Sequence, residues 1–264
     1  MEVRDELGEG PVWDARRGEL LRVDIPRGLV HGWDPVSGRA WRREYDGEVS
    51  AVVPRASADG FVVACGHRLI LDDGTPLAAL ESDVASNRLN DCKCDPQGRL
   101  WAGTMSKLRV PGTAALYRLD PGEPPVEVIG ATTISNGMDW SPDGERMYFV
   151  DSPTQRIDVL DFDAATGTPS NRRPLARVEP ADGLPDGLTV DAEGGIWVCL
   201  FGGGAIRRYD ERGRLDEVVE LPLAKPTSAA FGGAGLKTLF VTGAGALLAL
   251  EPGVRGRPAN RFGG

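Results

Sequence analysis

The chain is poor in the residues that hold soft metals or build covalent staples: it has four cysteines and two histidines in 264 residues. Four cysteines scattered as Cys65, Cys92, Cys94 and Cys199 exclude a disulfide framework. Cys92 and Cys94 stand closer together than the pair of a zinc knuckle, and no second pair follows them. Alternate residues of a strand share a face, so these two read as buried thiols. No apolar run approaches the roughly 20 residues of a membrane-spanning helix, so no membrane partner is expected. The opening stretch MEVRDELGEGPVW is acidic and lacks the apolar core of a secretory signal, which predicts a cytoplasmic protein. Positive charge is also scarce. Lysine and arginine number 30 against 39 aspartates and glutamates, a net charge of −9. That sign argues against a nucleic-acid partner, whose phosphates call for a basic surface.

Turn material, in contrast, is plentiful. The chain has 35 glycines and 20 prolines, together about a fifth of its residues where about 12% is ordinary. With 41% hydrophobic and 26% charged residues the rest is that of a folded globular chain. Many short strands joined by tight turns are predicted, hence an all-β fold.

One pattern, a glycine turn followed by an apolar strand, occurs six times. It reads RRGELLRVD (16–24), ADGFVVACG (58–66), PQGRLWAGT (96–104), PDGERMYFVD (142–151), AEGGIWVCL (192–200) and GAGLKTLFVTG (233–243). The turn glycines Gly18, Gly60, Gly98, Gly144, Gly194 and Gly235 are 42, 38, 46, 50 and 41 residues apart. A short strand precedes each copy and one or two follow, about four antiparallel strands per repeat. A period of 40–50 residues with four strands is that of a propeller blade. Residues 1–264 are therefore read as a single six-bladed β-propeller; a two-sheet sandwich would not put six copies in phase.

In a propeller the first strand of each blade lines the central channel, and its start lies at one mouth. Those starts carry Glu9, Ser50, Asn90, Asn136, Asp186 and Thr227, spaced by 41, 40, 46, 50 and 41 residues. Asn-Gly and Asp-Gly pairs, such as 136–137 and 186–187, form turns wherever they occur. Two carboxylates and two amides converging in register ask for more, because burying the charges together costs several kcal/mol without a cation. The all-oxygen set of Glu9, Asn90, Asn136 and Asp186 suits Ca²⁺, Mg²⁺ or Mn²⁺, with Zn²⁺ or Fe²⁺ admissible if waters complete the shell. His31 and His67 fall on later strands, away from that mouth. Trp101, Trp140 and Trp197 read as core aromatics on blade strands.

These residues lie in stretches that resemble the SMP-30/gluconolactonase/luciferin-regenerating-enzyme family: LGEGPVWD (7–14), NRLNDCKCDPQGRLWAGTM (87–105), ISNGMDWSPDGERMYFVDS (134–152), LPDGLTVDAEGGIWV (184–198), LPLAKPTSAAFGG (221–233) and GVRGRPANRFGG (253–264). The resemblance implies a metal-dependent hydrolase that opens a sugar-derived lactone to the aldonic acid. Its metal ligands fall on Glu9, Asn136 and Asp186, with Asp186 also the catalytic group that positions or deprotonates water. Its substrate-binding R-x-N-D motif falls on Arg88, Asn90 and Asp91. The blade period by itself selects Glu9, Asn90, Asn136 and Asp186; it leaves open whether Asn90 serves metal or substrate. One divalent cation is expected, calcium first, with zinc, manganese, magnesium or iron as alternatives.

Two departures from the family's pattern stand out. After A-G-T-M many lactonases have acidic residues facing the substrate, where this chain has Ser106-Lys107-Leu108; and the last blade runs from VTGAG straight into ALLAL (241–250) without the usual insert. Both lie where the substrate is read. Alternative functions are hydrolysis of another ester, such as a phosphotriester, on the same metal site, and calcium binding without catalysis. The expected partner is a small sugar lactone, bound by a monomer or a dimer.

Overall fold

The six turn glycines all take a left-handed φ, between 64° at Gly18 and 116° at Gly60, a conformation that side chains resist. Each turn folds the innermost strand of a sheet back onto its neighbour. The computed structural model describes residues 4–56 and 59–264. Residues 1–3, 57 and 58 lie outside the described residues, and with them the start of the acidic opening stretch and the first residue of the second repeat copy.

Six antiparallel sheets follow in chain order, each an up-and-down meander. Their innermost strands are Gly8–Asp14, Val49–Pro54, Asn87–Cys94, Ser135–Trp140, Leu184–Val190 and Pro226–Gly232. The first five sheets have four strands and the last has three, ending at Ala246–Leu250. The all-β, six-bladed propeller read from the sequence is this arrangement. The final blade lacks a fourth strand because the chain beyond Leu250 leaves the sheet and runs across the opposite face.

Cores form between blades. Val23, Val30, Val52 and Val63 fill the space between the first and second sheets. Trp101, Trp140 and Phe162 pack edge to face between the third and fourth, with centroids 5.7–5.9 Å apart. Trp13 and Leu20 meet Phe240 where the sixth sheet returns to the first, and Thr227 Oγ1 donates to Gly8 O at 2.6 Å across the same junction. Trp101, Trp140 and Trp197 are fully buried, the core role predicted for them.

The turn sequences have a local logic. Asp95 Oδ1 accepts from the N–H groups of Gln97 and Arg99, and its Oδ2 from Trp101 Nε1. Asp191 repeats this with Glu193, Gly195 and Trp197. One carboxylate thus closes the turn and docks the next strand's tryptophan, which is why D-x-x-G-x-x-W recurs.

The C-terminal segment 254–264 ties the ring together. Gly256 N donates to Leu236 O, Ala192 N to Arg255 O, Phe262 N to Pro54 O and Gly263 N to Gly98 O. Arg257 Nη2 donates to Trp140 O at 2.6 Å, and Arg261 Nη2 reaches Asp14 Oδ1. All six sheets are touched. Residues 257–260 form the floor of a channel cavity of about 80 Å³.

Candidate metal centre and substrate mouth

Every innermost strand breaks register with its neighbour at the same level. The shift falls after Glu9, at Ser50, at Asn90-Asp91, at Asn136-Gly137, at Asp186-Gly187 and at Thr227-Ser228. Such bulges oppose an extra residue to the partner strand and re-aim side chains. In phase around the ring, they bring Glu9, Asn90, Asn136, Asp186 and Thr227 to one mouth, which Ser50 of the second blade does not line. At two of the bulges a side chain has no room. A Cβ on Gly137 would sit 2.5 Å from Leu188 N, and one on Gly187 would sit 2.2 Å from Ser228 Oγ. The Asn-Gly and Asp-Gly pairs are therefore close-approach points between neighbouring blades rather than hairpin turns.

Glu9, Arg88, Asn90, Asn136, Asp186 and Thr227 line one open pocket of about 160 Å³ at the start of the innermost strands, with Ser152, Phe201 and Arg109 on its walls. Of the predicted site residues, only Asp91 is missing from that lining. The two residues of the Asn90-Asp91 bulge diverge, and Asp91 faces the channel cavity beneath, together with Lys93 and Asp139. Lys93 Nζ bridges to Asp139 Oδ2 at 3.1 Å, and Arg257 approaches Asp139 from the floor at 3.3 Å.

The carboxylates at the mouth are under electrostatic pressure. Burial raises the Glu9 carboxyl well above its ordinary value, and the charges of Asp186 and Asp91 push it further, against the Gly10 N–H and Arg88. Burial raises Asp186 likewise, with Asp91 adding to it and Asn136, the Gly187 N–H and Arg88 opposing. Asp91 is raised to about 6 by burial, despite the pull of Lys93. Gly10 N donates to Glu9 Oε2 at 2.8 Å, whereas the buried Oδ1 of Asp186 has no hydrogen-bond partner among the described residues. Among the described residues no three His, Cys, Asp or Glu side chains form a metal cage. The donor set is mixed: two repelling carboxylates, one with an orphaned oxygen, beside the Asn136 amide, whose Nδ2 is anchored on Ser152 Oγ at 3.1 Å. Hard oxygen donors of this kind fit a divalent cation such as calcium.

Arg88, 8% exposed, donates through Nη1 to Leu89 O at 2.8 Å and to Asn90 Oδ1 at 2.9 Å. Asn90 Nδ2 donates in turn to Ser135 O at 3.0 Å. Both ends of the Asn90 amide are thus engaged, one by Arg88 and one by the next blade. On the rim, Glu48 accepts an ion pair from Arg88 Nε at 3.5 Å and from Lys107 Nζ at 2.9 Å. Glu48 and Arg109 were not legible in the sequence as site residues; both sit on loops, outside the blade period. The cysteines are all buried, and burial holds the thiols of Cys92, Cys94 and Cys199 well above their ordinary range. His67 Nδ1 lies 3.0 Å from Leu80 O, and neither histidine lines the mouth.

A family model described as the SMP-30/Gluconolactonase/LRE-like region matches residues 7–245. The chain is 39% identical to regucalcin of Xenopus laevis over 250 residues, 90% of this chain and 83% of that one. Its fold is similar to a calcium-binding protein, regucalcin, of Agrobacterium tumefaciens, with TM-score 0.92, 30% identity and coverage of 99% and 96% of the two chains. It is also similar to a gluconolactonase of Xanthomonas campestris, with TM-score 0.79, 25% identity and coverage of 94% and 86%.

Proposed function

The chain belongs to the SMP-30/gluconolactonase/LRE-like family, and from that premise we propose that it is a metal-dependent lactonase opening a sugar-derived lactone to its aldonic acid. One observation carries the reading: two carboxylates, the part-buried Glu9 and the buried Asp186, share the solvent-open mouth of the propeller, and among the described residues Asp186 Oδ1 has no hydrogen-bond partner. Glu9, Asn136 and Asp186 would hold the cation, calcium before zinc, manganese, magnesium or iron. When bound it supplies a Lewis acid for the lactone carbonyl and lowers the pKa of water.

Asp186 orients the attacking water and takes its proton as the oxygen–carbon bond forms. As the ring C–O bond breaks, the same carboxyl returns the proton to the departing ring oxygen, so water is consumed and a hydroxy acid is released. Arg88 presents its guanidinium fork to ring hydroxyls and to the carbonyl oxygen as charge develops there. Asn90 holds Arg88 in place from the neighbouring strand position. Asp91, one residue on, acts from the channel through its field rather than by touching substrate.

The regucalcin and gluconolactonase likenesses support this reading, as does the mixed oxygen donor set. No helix among the described residues is long and apolar enough to cross a membrane, and a cytoplasmic enzyme acting on a diffusible sugar lactone is proposed. The test is chelation followed by acid release from 1,4- and 1,5-aldonolactones, with single cations restored and spontaneous opening subtracted. Cation-restored turnover of a lactone supports the proposal. A folded, cation-binding protein that turns over no lactone overturns it, in favour of another ester or of calcium binding alone.

A further inference from the structure

One side of the mouth gathers cations in a molecule whose net charge is negative. In a chain of net charge −9, Arg88, Lys107 and Arg109 gather on one side of the opening. Glu48 is shared between Arg88 and Lys107, at 3.5 and 2.9 Å, so a single carboxylate stands against two cations. Arg109 lines the same pocket as Glu9, Asn136 and Asp186, and among the described residues no carboxylate pairs with its guanidinium.

Arg109 is held in place by its backbone. Its φ is 54°, a left-handed conformation uncommon for a residue with a side chain. The turn is closed by Arg109 N donating to Ser106 O at 2.9 Å and Val110 N to Ser106 Oγ at 3.2 Å. The loop is pinned at both ends, by Lys107 N on Ser86 O and by Asn87 Nδ2 on Thr113 O. A turn fixed this firmly carries the exposed Arg109 side chain at the open mouth, where its guanidinium can pair with an anion.

We infer that the substrate is an anionic lactone, one bearing a carboxylate or a phosphate monoester remote from the ring carbonyl, and that Arg109 is the residue that selects it. The inference rests on the lactonase reading of the same mouth. Once Glu9 and Asp186 are committed to a cation, the charge facing the substrate is net positive. A neutral aldonolactone leaves that charge unanswered, whereas a planar carboxylate or a phosphate accepts the guanidinium fork two hydrogen bonds at a time.

The experiment uses the full-length, calcium-loaded protein with three substrates: D-glucono-1,5-lactone, its 6-phosphate, and D-glucaro-1,4-lactone. Wild type is expected to show a higher kcat/KM for one of the two anionic lactones, and which one identifies the anion. Arg109→Asn removes the charge but tolerates the left-handed backbone. It is expected to lower the ratio of anionic to neutral kcat/KM by about tenfold or more, the worth of one charge-assisted pair. Arg109→Lys restores part of that ratio, and added salt erodes it. Calorimetric binding of the ring-opened acids, gluconate 6-phosphate and glucarate, to wild type and Arg109→Asn gives a readout independent of turnover.

An anionic-to-neutral ratio that Arg109→Asn leaves where it was overturns the inference while the lactonase reading stands. Acids that bind in an Arg109-dependent way to a protein that opens no lactone uphold the anion receptor and overturn the lactonase reading. Acids that bind wild type and variant equally overturn the receptor.

Discussion

Arg88 rests on Asn90: the guanidinium donates to the amide oxygen two residues along the same strand at 2.9 Å, and the amide nitrogen donates to Ser135 O on the next blade at 3.0 Å. The amide therefore couples Arg88 to the junction of the third and fourth sheets. Asn90→Ala removes the bond to Ser135 O and one support of Arg88, which keeps Leu89 O and Glu48. A loss of stability of about 1–3 kcal/mol is expected, with a rise in KM and little change in calcium affinity. Titrating calcium into wild type and variant checks this. An equal fall in calcium affinity and in kcat/KM would instead place Asn90 among the cation ligands.

Glu9 and Asp186, both disfavoured as anions by burial and by neighbouring carboxylates, are expected to cost the metal-free protein stability. Asp186→Asn removes one of the two charges and the orphaned carboxylate oxygen with it. In chelator the variant is expected to unfold at higher temperature than wild type, by about 2–4 °C for each kcal/mol relieved. In calcium the order reverses, because wild type gains the binding free energy and the variant loses most of it. Turnover is abolished in both conditions. Thermal unfolding with and without calcium decides. A variant less stable than wild type even in chelator would mean that the carboxylate is held by something other than a cation.

These two predictions rest on residues the sequence displayed openly, and the reason is geometric. A bulge at a fixed level of each innermost strand makes the blade period report which side chains reach the axis, so Glu9, Asn136 and Asp186 could be picked by counting. The same bulge hid the division of labour at Asn90-Asp91. Neighbours in an R-x-N-D motif read as one substrate-binding group, yet the extra residue sends Asn90 to the mouth and Asp91 to the channel. Arg109 follows no period at all. Its position is set by a left-handed turn on Ser106, and the sequence offered only the unusual Ser106-Lys107-Leu108 run as a sign that the rim differs. The short VTGAGALLAL hairpin of the last blade was legible, but the absence of a fourth strand after Leu250 and the chain's route across the opposite face were not.

His31 gives the fold a pH dependence of known sign. Its Nε2 lies 3.5 Å from Asp5 Oδ1, which by itself would favour the imidazolium. Burial, joined by the Arg22 and Arg42 cations, outweighs Asp5 and Asp24 and lowers the imidazole below its ordinary 6.5. The unfolded chain thus takes up the proton first. The stability tied to neutral His31 is present above about pH 6.5 and is lost as pH falls through the lower, folded value. Wild type is expected to lose stability relative to His31→Gln between about pH 7.5 and 5.5. Chemical denaturation at both pH values measures it. An advantage for wild type that grows on acidification would show that the Asp5 pair dominates instead.

The C-terminal segment closes the channel, and its removal should be felt far from the mouth. Phe262 is 2% exposed and packs into the core between the second and third sheets, beside Val53, Leu69 and Leu100. Phe262→Ala is expected to cost about 3–5 kcal/mol, the usual price of an emptied aromatic site. Arg257 acts differently. It shares the buried carboxylate of Asp139 with Lys93 and also donates to Trp140 O. Those contacts hold Asp139 below the ordinary aspartate range in spite of its burial. Arg257→Ala leaves that charge with Lys93 as its cation beside the N–H groups of Trp140 and Val190, and opens the floor of the channel to water, so a loss of roughly 2–4 kcal/mol is expected, smaller in Arg257→Lys. Because Asp139 and Glu9 lie at opposite ends of the channel, calcium affinity should change little in Arg257→Ala. Denaturation curves and calcium titrations on the same samples separate the two effects. A parallel collapse of calcium affinity would show that the floor and the mouth are coupled through the Asp91 field between them.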